Sequence, residues 1–164
     1  MLLGGIRPMP YPESGSIFAE PEAPHDYRGT NVLVDDLDDM MLIDIVAAAG
    51  TADVPCVVDV RRLGGALRHA PEVPDAVSFR DAAWIVRVLS ATDGHTAAAV
   101  DAQHDAVLRP LDPVRRGRSA GFLYGPVPVT PDELHEPEIL SKLRRTREQV
   151  DPDGRFAATS RIAT

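Results

Sequence analysis

Residues 55–66 read PCVVDVRRLGGA and residues 82–91 read AAWIVRVLSA. The first opens as an apolar, β-branched run from Pro55 to Val60, the signature of a buried strand, and stops at Arg61–Arg62 before Gly64–Gly65. The second alternates: Trp84, Val86 and Val88 fall on one face, Ile85, Arg87 and Leu89 on the other. Between them Pro71 and Pro74 forbid a helix, and residues 66–81 read as irregular. Two strands joined without a crossover helix must run antiparallel. This pair therefore sets the fold class: α+β, an antiparallel sheet with helices packed mainly on one face.

The flanking elements fit that frame. Residues 1–30 carry Pro8, Pro10, Pro12, Pro21 and Pro24 and form an irregular segment, with one short helix expected at Glu13–Glu20. Asn31–Val34 reads as the end of a strand. Asp35 and Asp36 stand at the N-cap of a helix in which Leu37, Met40, Met41, Ile45 and Ala48 recur up to Gly50. His95–Leu108 is an amphipathic helix with Ala99, Ala102, Ala106 and Val107 inward, stopped by Pro110 and Pro113. Arg115, Arg116 and Arg118 read as a loop and Gly121–Tyr124 as a short strand. Thr130–Pro131–Asp132–Glu133 has capping-box form, and Glu138–Val150 places Ile139, Leu143, Thr146 and Val150 on one stripe.

Composition excludes several classes. A formal net charge of −8 argues against a general phosphate-backbone binder, so no nucleic-acid partner is expected. One cysteine, Cys56, cannot form an internal disulfide. No apolar run reaches membrane-spanning length, Met1–Met9 lacks the form of a signal peptide, and the expected location is the cytoplasm. Asp35, Asp36 and Asp39 have DDxxD spacing, but without a second acidic motif they read as helix-capping carboxylates. The histidines 25, 69, 95, 104 and 135 show no metal-binding spacing. Leu63–Gly64–Gly65–Ala66 lacks both GxGxxG and a Walker lysine and reads as a backbone bend.

Three stretches, in order, resemble the C-terminal part of FAD-linked oxidases of the berberine-bridge type. Asp59–Val60–Arg61–Arg62–Leu63–Gly64–Gly65–Ala66, followed by Phe79–Arg80–Asp81–Ala82, is similar to the family's acidic–x–Arg–x–Leu–Gly–Gly–Ala and His-Arg-Asp-Ala runs. Pro8–Met9–Pro10–Tyr11 with Tyr27 and the Leu37–Ile45 helix is the second stretch. The basic helix ending at Arg147, then Asp151–Pro152, Phe156 and Ile162, is the third.

The resemblance implies hydride transfer from an alcohol, sugar or amine-type carbon to FAD, with O₂ as acceptor. It implies a partial domain over 1–164: an irregular segment 1–30, a substrate-domain-like α+β region 31–129, and a C-terminal helix and flavin-proximal tail 130–164, with the N-terminal FAD-binding domain absent. It assigns catalytic roles to Tyr124 and His69, cofactor contacts to Phe122, Tyr124, Phe156 and Ser160, and substrate contacts to Arg61 and Arg80. Phe79 stands where the family has His, Phe122 where it has the strand Tyr, and Ser160 where it has the tail Gln. Tyr124 replaces the missing hydroxyl only with a two-residue shift of the strand. Tight FAD binding and activity are not expected of the chain alone. The expected partners are a small-molecule substrate and either a separately encoded FAD-binding domain or a second copy. The alternative is a non-catalytic remnant serving as a binding or dimerisation module.

Overall fold

In the computed structural model, which describes residues 7–18, 24–51 and 53–156, four strands form one antiparallel sheet of order β2-β3-β1-β4. The strands are β1 (Tyr27–Val34), β2 (Val57–Arg62), β3 (Trp84–Ala91) and β4 (Arg115–Gly117). The helices are α1 (Gly15–Phe18), α2 (Asp39–Gly50), α3 (Ala97–Leu108), α4 (Pro131–Leu134) and α5 (Pro137–Val150). The link from β2 to β3 contains only a 3₁₀ turn at Gly65–Arg68, and the two strands pair antiparallel, Val57 with Leu89 through Arg62 with Trp84. The α+β class read from the sequence is the class observed.

Strand alternation divides the sheet into two unlike faces. Val32, Val34, Val86 and Val88 are completely buried and pack with Ile45 of α2, Val107 and Leu108 of α3, and Leu111. These two helices cover that face. The opposite face holds only a small cluster, Leu33, Phe79, Ala82 and Ile85, with Leu63 and Phe122 beside it, and no described helix lies across the sheet there.

Several elements differ from the sequence reading. β1 starts at Tyr27, four residues before Asn31, because Arg28 is held in the interior. Its Nε and Nη2 donate to both carboxylate oxygens of Asp101 at 3.0 and 2.8 Å, and Nη2 also donates to the Pro126 carbonyl. The cap of α2 is Asp38, whose Oδ1 accepts from the Met41 N–H at 2.8 Å; Asp35 instead pairs with Arg116 at 3.0 Å, and Asp36 accepts from the Leu37 N–H. α3 turns Val100, His104, Val107 and Leu108 inward, so the alanine stripe is displaced and Ala99 and Ala102 are exposed. Arg115–Gly117 is a strand, and 120–122 is a 3₁₀ turn rather than part of a strand. The Glu13–Glu20 helix is replaced by a 3₁₀ turn at Tyr11–Glu13 and by α1, with 19 and 20 outside the described residues. The Thr130–Glu133 capping box and α5 form where the sequence put them.

Two buried polar groups make the fold testable. Asn31 is fully buried, donates from Nδ2 to the Ser119 and Phe122 carbonyls at 2.9 and 3.1 Å, and accepts from the Ser119 N–H at 2.8 Å. Asn31→Ala strips these main-chain partners and is expected to lower unfolding free energy by about 2–4 kcal/mol in a urea titration. His104, 2% exposed, faces the Ser90 hydroxyl at 3.1 Å, and burial pushes its pKa below the usual value; burial pushes His135 the same way. The unfolded chain then binds protons that the folded chain refuses below about pH 6.5, so stability is full above that pH and falls as pH drops through it. Melting curves from pH 8 to 5 are expected to show a falling midpoint, and His104→Gln is expected to flatten that fall.

Candidate functional site

The uncovered sheet face is organised in transverse rows set by strand register. One row runs Asp59 of β2, Arg87 of β3 and Asn31 of β1. Asp59 Oδ2 accepts from Arg87 Nε at 2.7 Å and from Arg61 Nε at 2.8 Å. Asn31 completes the row by fixing the 119–122 turn, which brings the Phe122 ring over the two guanidiniums. The Arg87 and Arg61 guanidinium carbons lie 4.6 and 5.7 Å from the Phe122 centroid. That distance is in cation–π range, and a carboxylate between two guanidiniums leaves the cluster one positive charge in excess.

The next row is Val57, Leu89 and Gly29, and Tyr124 continues it by bridging to Gly29 through paired main-chain hydrogen bonds of 2.9 and 3.1 Å. The Tyr124 ring packs closely against Gly29. A Cβ on Gly29 would stand 2.8 Å from Tyr124 Cδ2 and 3.2 Å from Leu89 Cγ, so this close approach requires glycine. Tyr27 meets Tyr124 with centroids 5.2 Å apart, and His25 lies 5.8 Å beyond Tyr27, tilted in both cases. The face thus offers a row of rings beside a cationic cluster, on rigid strands.

Of the residues singled out from sequence, Arg61, Phe122 and Tyr124 come together here. Arg80 and His69 lie elsewhere, in the 64–81 loop beyond the Arg62 end of β2. Arg80 pairs with Asp75 and donates to the Leu67 and His69 carbonyls at 3.0 and 3.4 Å, so it braces that loop, and it holds the Asp75 carboxyl below the usual range. His69 is exposed. Tyr124 stands at the Leu89 end of β3, five residues from Trp84, or roughly 17 Å along the strand. Phe156 is 76% exposed, held through its N–H to Asp151, and Ser160 lies outside the described residues. Asp59, Arg87, Asn31 and Tyr27 were not read as site residues. The alternation that put Arg87 opposite Val86 and Val88 was the signal for it, and Asp59 was visible as one charge inside an apolar strand.

A separate groove of about 490 Å³ runs along α5, lined by Phe79, His135, Glu136, Leu140 and Arg144 among others, and touches none of these residues. No helix among the described residues is long and apolar enough to cross a membrane.

Comparison with known proteins gives a likeness of fold. No family model matches the sequence, and no curated protein matches it. A solved structure of chitooligosaccharide oxidase superposes with a TM-score of 0.66 over 84% of this chain, at 11% identity. At that identity the likeness speaks for the fold alone, and the chain spans 35% of the length of that oxidase.

Proposed function

We propose that this chain is the substrate-binding and C-terminal portion of an FAD-linked oxidoreductase of the berberine-bridge type. The observation that carries the reading is the uncovered sheet face, with Phe122, Tyr124 and Tyr27 beside the Arg61–Asp59–Arg87 cluster, on a fold shared with an oxidase. A planar, largely apolar ring suits this face, since aromatic rings bury much area and stack in offset or tilted geometry. The phosphates and adenine suit it less. Anion sites are built from helix N-termini or uncommitted cations, whereas Arg61 and Arg87 already serve Asp59. The ring half of the cofactor therefore fits this chain, and the remainder is left to another domain.

A bound flavin supplies the hydride acceptor. The roles of this chain are to exclude water from one side of the ring, to hold the substrate and to take its proton. Tyr124, half-buried on the rigid Gly29 bridge, is the hydroxyl available for that proton. Arg61 and Arg87, held by Asp59, keep one excess positive charge beside the ring row, which favours the oxygen atoms of an alcohol or sugar substrate on that side. The same positions favour a second reading: Phe79 and Phe122 stand where the resembled family carries polar side chains, as a non-catalytic binding module would allow.

Co-expression with a separately encoded flavin-domain protein separates the two. The expected outcome is a yellow complex that elutes as one species and consumes O₂ with an alcohol or sugar substrate. Tyr124→Phe is expected to lower kcat about 100-fold at unchanged flavin content, the range for loss of a proton acceptor. Separate elution, without flavin absorbance on the complex, would overturn the oxidase reading.

A further inference from the structure

The two edges of the sheet are treated differently. The β4 edge is covered: the Arg118 N–H donates to the Glu133 carbonyl at 2.7 Å, and α4 lies against the strand. The β2 edge has no neighbouring strand among the described residues, and it carries no proline and no bulge. Open edges of this kind are templates for pairing unless blocked.

The backbone of β2 shows which groups are offered. The Leu63 N–H donates inward to the Ala83 carbonyl at 2.8 Å, in register with the β2–β3 ladder. By alternation, Asp59 and Arg61 turn their main-chain groups toward β3, and Val58, Val60 and Arg62 turn theirs outward. Val57 and Val60 are 66% and 37% exposed. The side chains add a pattern that is complementary to itself when turned about Val60: acidic at 59, apolar at 60, basic at 61.

We propose that β2 pairs with β2 of a second copy of this chain, antiparallel about a two-fold axis through Val60. This goes beyond the oxidase reading and does not depend on it. In that register Val60 faces Val60 as a hydrogen-bonded pair, and Val58 faces Arg62 on either side, giving about six main-chain hydrogen bonds. Asp59 then stands opposite the partner copy's Arg61 at the closer, non-hydrogen-bonded spacing, twice over. Opposite charges directly across a strand pair stabilise it, and like charges destabilise it. The self-complementary order chooses a second copy over an unrelated strand, because any other sequence must supply the same charges reversed. The axis lies perpendicular to the sheet, so both uncovered faces point the same way and form one broad surface.

Sedimentation velocity on the purified chain at about 100 μM tests this, with a dimer of twice the 17.7 kDa chain mass expected. Val60→Pro removes an outward N–H and leaves the inward ladder intact; it is expected to give a monomer with an unchanged circular dichroism spectrum. Arg61→Asp keeps the Asp59–Arg87 pair but sets Asp against Asp across the axis, and is expected to weaken the dimer at least tenfold. It decides the matter if Val60→Pro does not fold. A wild-type monomer at this concentration, or a dimer that persists with unchanged affinity in a folded variant, overturns the proposal.

Discussion

A strand hydrogen-bonded along its length on both sides has no freedom to choose its faces, and β3 is held in that way here. Its neighbours β1 and β2 lock it residue by residue, from Trp84 to Ala91 on one side and to Leu89 on the other. The side-chain period of two then commits Val86 and Val88 to the helix-covered core and Arg87 to the opposite face. A one-residue slip would drive Arg87 among Val32, Val34 and Val107, at the cost of an unpaired buried charge. The hydrophobic pattern therefore fixes a charge on the uncovered side, and the rest of that side is a response to it.

The response comes from register. The residue across β2 from Arg87 is Asp59, and the residue across β1 is Asn31, so a carboxylate and an amide flank the guanidinium in one line. Asp59 neutralises Arg87, which is only 12% exposed in its side chain, and recruits Arg61 from its own strand. Asn31 does not bind Arg87; it satisfies the carbonyls of a turn and so carries Phe122 across the guanidiniums. One line of three polar side chains thus converts an unpaired sheet face into a site with fixed charge and a fixed ring. The adjoining line does the same with shape: Gly29 omits a side chain, and Tyr124 occupies the space.

Local signals made β3, α5 and the Thr130 capping box legible in the sequence, because each rests on periodicity or capping within a few residues. They place β2 as well, but as a buried strand over 55–60, whereas it runs Val57–Arg62 along the sheet edge with no residue fully buried, since an apolar run does not say whether a neighbour covers it. The start of β1 was not legible. Tyr27, Arg28, Gly29 and Thr30 carry no strand signature on their own, and they become a strand through Asp101, 73 residues away, and through Tyr124. Arg115–Gly117 is hidden for the same reason: a basic run looks solvated until Asp35, Asp81 and Asp112 claim its arginines. In α3 the sequence places Val107 inward correctly, but in place of the alanine stripe the sheet selects the larger Val100 and accepts His104 because Ser90 meets its ring. Of the candidate site, Arg61, Phe122 and Tyr124 are among the residues that the family resemblance picks out; Arg87 and Asp59 carry a local signal each, but their meeting in one row with Asn31 required the register. Cross-strand partners are a product of pairing, and no single strand announces them.

The C-terminal helix is joined to this face by a strained residue rather than by a broad interface. Phe79 adopts φ 56°, an uncommon conformation for a bulky side chain, and remains buried. Its N–H donates to the Glu136 carboxylate at 3.1 Å, and the Glu136 N–H donates to the Ser78 hydroxyl at 3.1 Å, a reciprocal clamp at the start of α5. The ring fills the space that Gly117 leaves open, where a Cβ would also meet the Glu133 carbonyl at 2.7 Å. Left-handed backbone at such a residue persists only where its surroundings over-determine it. Here two side chains, a glycine and a helix start agree on one position. That agreement sets α5 at the margin of the ring-bearing face, and leaves the face itself uncovered, because Leu140 is the one residue of α5 that is buried.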